Sequence, residues 1–107
     1  MFVVSSHDQL GTTGNKTGSW LEELAAPYWR LKDAGYPITL ASPRGGPAPI
    51  DPMSLEDNWI SEAGRRFRAD AEAAAALADT RRLDTVDPAD YIGVFMVGGS
   101  ATVWDFI

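Results

Sequence analysis

A chain of 107 residues with 45% hydrophobic and 22% charged side chains has the balance of one small globular domain rather than of a disordered or membrane-embedded segment. Its net charge is −6, and its basic residues are scattered or, like Arg65, Arg66 and Arg68, stand among acids; this disfavours a nucleic-acid surface, which needs a concentrated basic face. With no cysteine, disulfides, thiolate metal sites and a thiol nucleophile are excluded within these residues. No apolar run approaches the ~20 residues of a membrane span, and no charged leader precedes one. The expectation is a cytoplasmic protein with no membrane or nucleic-acid partner.

Phe2, Val3 and Val4 read as a short buried strand that runs into the polar loop Ser5, Ser6, His7 and Asp8. From Thr17 onward, Trp20, Leu21, Leu24, Ala25, Tyr28 and Leu31 recur at spacings of three and four, which predicts an amphipathic helix ending near Gly35. Pro37 to Ala41 reads as a second strand, closed by the turn residues Ser42 to Pro47. After a long loop, the alanine-rich stretch from Ser61 to Asp79 favours helix, with Phe67, Ala71, Ala74 and Leu77 on one face and Asp70 capping a second segment. Asp87 and Pro88 have the form of a capped helical turn. Tyr91 to Val97 is the third strand; Val94 to Val97 are apolar on both faces, as in a central strand sandwiched between layers. In a flavodoxin-like order, however, the first strand lies between the second and third, so without a later strand the third is expected to be an exposed edge, with Phe95 and Met96 near an intermolecular contact. This alternation predicts an α/β fold of flavodoxin-like type, a parallel sheet of about three strands with helices on both faces. In such sheets function gathers at the carboxyl ends of the strands, where Ser6 to Gly14 and Gly98 to Thr102 would lie side by side.

Three local patterns carry possible chemistry. Gly11 to Thr17 stands where a phosphate-binding loop belongs, but Asn15 separates Gly14 from Lys16, so amides and ammonium do not converge on one phosphate. His7 is the only histidine and Asp8 is its neighbour; adjacent side chains on extended backbone point apart, and no second histidine exists to build a metal site, which favours a structural role. Glu22 and Glu23 open the first helix, where ~100° per residue lets only one of them share the inward face. A glutamate partly buried there would be suited to general acid–base work, because burial raises a carboxyl pKa.

Taken together, the motifs Ser6-His7-Asp8-Gln9-Leu10-Gly11, Thr17-Gly18-Ser19-Trp20-Leu21-Glu22-Glu23-Leu24-Ala25-Ala26-Pro27-Tyr28, Asp33-Ala34-Gly35, Leu40-Ala41-Ser42-Pro43-Arg44-Gly45-Gly46, Ile50-Asp51-Pro52 and Trp104-Asp105 resemble the ThiJ/PfpI (DJ-1/PfpI) superfamily. The resemblance is strongest to its branch of glutathione-independent glyoxalases and stress-response chaperones, also described as glutamine-amidotransferase-like. It covers essentially the whole chain, which reads as residues 1–107 of the N-terminal part of a single such domain. The family implies a cysteine on a strained turn after a later strand, assisted by a glutamate that Glu23 matches. It also implies backbone amides at a glycine pair, matched by Gly98 and Gly99, that hold the substrate oxygen, with Ser100 completing the loop. Such donors stabilise developing negative charge without reorganising. The expectation is that Glu23 is partly buried beside Gly98 and Gly99 while Glu22 faces solvent.

In the parent chemistry that the resemblance implies, a lyase reaction needing no cofactor and no metal, a thiolate adds to the aldehyde of methylglyoxal. The glutamate moves protons, and hydrolysis of the rearranged adduct releases lactate. Two departures bear on this: Ser100 and Ala101 stand where the branch has histidine and glycine, and the sequence reaches Ile107 before any cysteine. No side chain here replaces a thiolate, and Ser100 has no evident base beside it. Three readings follow. The chain is an inactive half of a glyoxalase-like site for a small aldehyde, acting as a homo-oligomer or with a complementing C-terminal half. Alternatively it is a non-enzymatic chaperone-type module, or a flavodoxin-like phosphate or nucleotide binder.

Overall fold

The computed structural model describes residues 1–107. Its elements are β1 (Phe2–Val3), α1 (Leu21–Asp33), β2 (Leu40–Ser42), α2 (Glu62–Ala69), α3 (Ala71–Ala78), β3 (Arg81–Arg82), β4 (Phe95–Met96) and α4 (Thr102–Asp105), with single 3-10 turns at Pro52–Leu55, Leu83–Thr85 and Pro88–Asp90. The sheet is wholly parallel in the order β3-β2-β1-β4, with Phe2 opposite both Leu40 and Phe95. Parallel neighbours require crossover connections, and the first two carry α1 and the α2–α3 pair. This is the expected α/β class with one strand more than the sequence predicts. Arg81 and Arg82 are exposed and show no hydrophobic alternation, so only their backbone pairing with β2 makes them a strand.

The core forms where the periodic face of α1 meets the sheet. Leu21, Leu24, Ala25 and Tyr28 pack with Phe2, Val4, Leu40 and Val97 and are closed over by Phe67 of α2 and Ala73 of α3. The Tyr28 ring meets Phe2, Trp29 and Phe67 edge-on at 6.3, 4.8 and 5.0 Å between centroids, the geometry aromatic quadrupoles favour. Burial pushes its phenol above the ordinary pKa. α1 starts at Leu21, four residues later than the pattern suggests, because Ser19 is drawn into pairing with Ile50. Leu31 is exposed and Trp29 takes a buried place instead. Asp70 ends α2 and caps α3 through the Ala73 amide at 2.9 Å. That break resets the helical phase, so Ala71 and Ala74 are exposed while Phe67 and Ala73 are buried. The turn at Pro88–Asp90 has its Asp87 cap, accepting from Ala89 N–H at 2.9 Å.

The third predicted strand differs most. Only Phe95–Met96 pair, and they form the exposed edge expected of a third strand beside β1 rather than a covered central strand, with Phe95 40% and Met96 54% exposed. Phe95 still stacks on Phe2 at 5.0 Å. No helix is long and apolar enough to cross a membrane.

Candidate active site

At the carboxyl ends of β1 and β4, three segments converge on the start of α1. Ser19 N–H donates to Pro49 O at 3.0 Å, and Ser19 Oγ accepts from Ser5 N–H at 3.0 Å, which fixes the exit of β1. The next amide, Trp20 N–H, donates to Gly98 O at 2.9 Å and fixes the exit of β4. Gly99 has φ 132°, a conformation that favours glycine. A methyl group added there would fall 2.7 Å from both Gly18 O and Trp20 N. The turn continues with Thr102, whose Oγ1 and N–H both donate to Gly99 O, at 2.8 and 3.2 Å. The N–H groups of Gly98, Gly99 and Ser100 find no acceptor in the protein, which leaves three successive donors open.

Glu23 lies in the first turn of α1 and meets this loop. A methyl group built on Gly98 would stand 2.4 Å from Glu23 Oε1 and 3.0 Å from Oε2, so the carboxylate rests on the Gly98 Cα where only glycine leaves it room. The expected burial is inverted, however. Glu23 is exposed, while Glu22 is half-buried and accepts from Ser61 Oγ. Ser61 also caps α2 through the Gly64 amide at 3.0 Å, and docking that cap on α1 is what draws Glu22 inward. Ser100 is exposed and Ala101 fully buried.

Gly98 and Gly99 should respond differently to the same methyl group. At Gly98 the obstructing atoms are the far end of a flexible side chain, so Gly98→Ala is expected to cost less than ~1 kcal/mol while displacing the Glu23 carboxylate. At Gly99 the obstruction is backbone and φ is positive, and Gly99→Ala is expected to cost about 1–3 kcal/mol or more. Denaturation midpoints of the two variants check the ordering; equal losses would show that the loop yields at both positions.

The other candidates from the sequence settle into structural roles. Leu10 N–H to Asn15 O at 3.0 Å and Thr17 N–H to Asp8 O at 3.0 Å close Gly11–Thr17 into a hairpin-like turn, which ends four residues before α1. The amides of Gly11, Thr13, Asn15 and Thr17 bond within the turn, while those of Thr12, Gly14 and Lys16 alternate with them without an acceptor. Lys16 pairs with Asp8 at 3.4 Å, and that hydrogen bond holds the Asp8 carboxyl below its usual range. His7 makes no pair with Asp8: its Nε2 lies 2.5 Å from Gln9 O and its ring stacks on Trp104 at 4.8 Å. No cluster of three or more His, Asp or Glu groups that could hold a metal is present.

Asp105 is a further residue of this region, without a local pattern that suggests chemistry. Both its carboxylate oxygens are engaged, by Ser5 Oγ at 2.8 Å and Ser6 N–H at 2.7 Å. Nothing local to Asp105 signals a contact a hundred residues away; only its place in the Trp104-Asp105 motif singled it out.

No family model matches the chain. Among curated relatives it is 30% identical over 94 residues to the glutathione-independent glyoxalase hsp3101 of Schizosaccharomyces pombe, covering 86% of this chain and 38% of that protein. It is 26% identical over 104 residues to the protein/nucleic acid deglycase HchA of Staphylococcus aureus, covering 95% of this chain and 34% of the relative. Among solved structures, the Rapid Encystment Protein 24 KDa of Francisella tularensis matches 98% of this chain and 46% of its own length, with 34% identity and a TM-score of 0.90. The chain therefore spans less than half the length of each of these relatives.

Proposed function

Since the chain belongs to the DJ-1/PfpI superfamily and its relatives are glyoxalase- and deglycase-type proteins, we propose that it supplies one half of a glyoxalase-like site for a small reactive aldehyde such as methylglyoxal. The observation that carries this reading is the Glu23 carboxylate lying on Gly98 beside three open amides. A base and a set of oxyanion donors within one side chain's reach are what a proton shift next to a carbonyl requires. In this division of labour the Gly98, Gly99 and Ser100 amides hold the carbonyl oxygen as it gains charge. Glu23 carries the proton from the aldehyde-derived carbon to its neighbour. The nucleophile is a thiol from residues outside these 107, since the chain contains no cysteine. It comes from a complementing C-terminal half, in a cytoplasmic setting.

The 107-residue chain alone is then inert. Incubated with methylglyoxal, it is expected to form lactate no faster than buffer. Lactate production that needs no cysteine and disappears in Ser100→Ala would overturn this and establish a serine site instead.

A second reading has its own observation. Ile92, Val94 and Met96 are apolar and exposed in and just before the edge strand β4, a surface a non-enzymatic chaperone-type module could offer to clients. Saturable suppression of client aggregation by the chain without any partner, lost in Met96→Lys, would favour it over the half-site. Phosphate or nucleotide binding has less support, because the amides of Gly11, Thr13, Asn15 and Thr17 bond within the turn and the Lys16 ammonium is paired with Asp8.

A further inference from the structure

The geometry points to Asp105 as the positioning residue of this site, one that holds the Gly98–Ser100 amides in register with Glu23; the inference rests on the oxyanion reading of that loop. α4 buries none of its residues, and a helix of four residues does not persist by its own hydrogen bonds. Its outward contacts are the stack of Trp104 on His7 and the two bonds of Asp105. Those two bonds are short and charge-assisted, and no cation pairs with the carboxylate, so the Ser5 hydroxyl and Ser6 amide are its donors within the protein.

What Asp105 grips matters as much as how it grips. Ser5 is fully buried and its own amide is held by Ser19 Oγ. The neighbour of Ser19 in the chain, Trp20, holds Gly98 O. The links Asp105 to Ser5, Ser5 to Ser19, and Trp20 to Gly98 therefore close a ring around the loop 98–105, anchored at the entry of the helix that carries Glu23. Without Asp105 the loop keeps its bond at Gly98, but its far end is held only by the stack of Trp104 on His7 and the buried Ala101. The Gly99 and Ser100 donors then lose their direction, while the sheet and α1, which owe nothing to Asp105, remain.

The test uses the 107-residue chain, labelled with nitrogen-15, and sodium lactate as the oxyanion probe. In the unsubstituted chain, lactate is expected to shift the amides of Gly98, Gly99 and Ser100. Asp105→Ala is expected to weaken lactate at least ~10-fold and to speed exchange of the Val103 and Trp104 amides at least ~10-fold, with Phe2 and Val4 as protected as before. Asp105→Asn is the rescue: its carbonyl still accepts from Ser6 N–H, and its amide donates to Ser5 Oγ, so both readouts should stay within about threefold of the original. Unchanged exchange and affinity in Asp105→Ala would overturn the inference. So would an Asp105→Asn variant as damaged as Asp105→Ala, since charge rather than position would then be at work. If lactate fails to bind the unsubstituted chain, the oxyanion reading is what fails, and the exchange rates of Val103 and Trp104 decide on Asp105 by themselves.

Discussion

Gly18→Ala is expected to lower stability by about 3 kcal/mol or more, the upper range of overpacking effects. The added methyl group would lie 2.4 Å from Pro49 O, 2.5 Å from Pro49 C and 2.7 Å from Ile50 C. All three are backbone atoms and cannot rotate away. The crossing is also hydrogen-bonded on both sides, by Ser19 N–H to Pro49 O at 3.0 Å and Asp51 N–H to Ser19 O at 2.9 Å. Separating the strands to admit the methyl group lengthens both bonds, each contributing ~1 kcal/mol. For a domain of this size each kcal/mol corresponds to about 4–8 °C, so the melting temperature should fall by more than ~12 °C. Gly14→Ala is the control: no atom lies within 4 Å of its added methyl group, and only its positive φ of 79° opposes the change, at ~1 kcal/mol. Thermal unfolding followed by circular dichroism measures both; a loss below ~1 kcal/mol in Gly18→Ala would mean that the two segments part freely.

Association through β4 is the second large effect expected. Phe95 N–H and Val97 N–H bond to β1, at Met1 O and Val3 O, both 2.9 Å, so residues in this parity use one side of the strand and Met96 presents its backbone to the other. Exposed apolar side chains border that open edge: Ile92 is 92% and Val94 54% exposed. An unpaired apolar edge recruits other strands. Sedimentation velocity should show the chain assembling with rising concentration, as a homo-oligomer or, when a cysteine-bearing C-terminal half is added, as a mixed complex. Met96→Lys places a charge on the edge and should return it toward monomer. A monodisperse monomer at high concentration, with or without that substitution, would rule the edge out as an interface.

Much of this fold is legible in the amino-acid order because its signals are local. The spacing of Leu21, Leu24, Ala25 and Tyr28 fixes the buried face of α1, Asp70 and Asp87 announce the caps they make, and the apolar run at Phe2 marks β1. The family motifs also single out Glu23, Gly98 and Gly99 as candidate site residues. The tertiary structure alone decided the remainder, because it rests on contacts between distant segments. Arg81–Arg82 became a strand only because β2 offered its edge, and Ser19 left the helix because Ile50 paired with it. Glu22 rather than Glu23 turned inward once Ser61 docked beside it. Phe95 and Met96 have the composition of a central strand, but composition reports affinity for burial and not which neighbour supplies it; here β1 covers one side and nothing in the chain covers the other. Asp105 is the extreme case: its two partners, Ser5 and Ser6, lie at the opposite end of the sequence, and only folding brings the carboxylate within hydrogen-bonding distance of them.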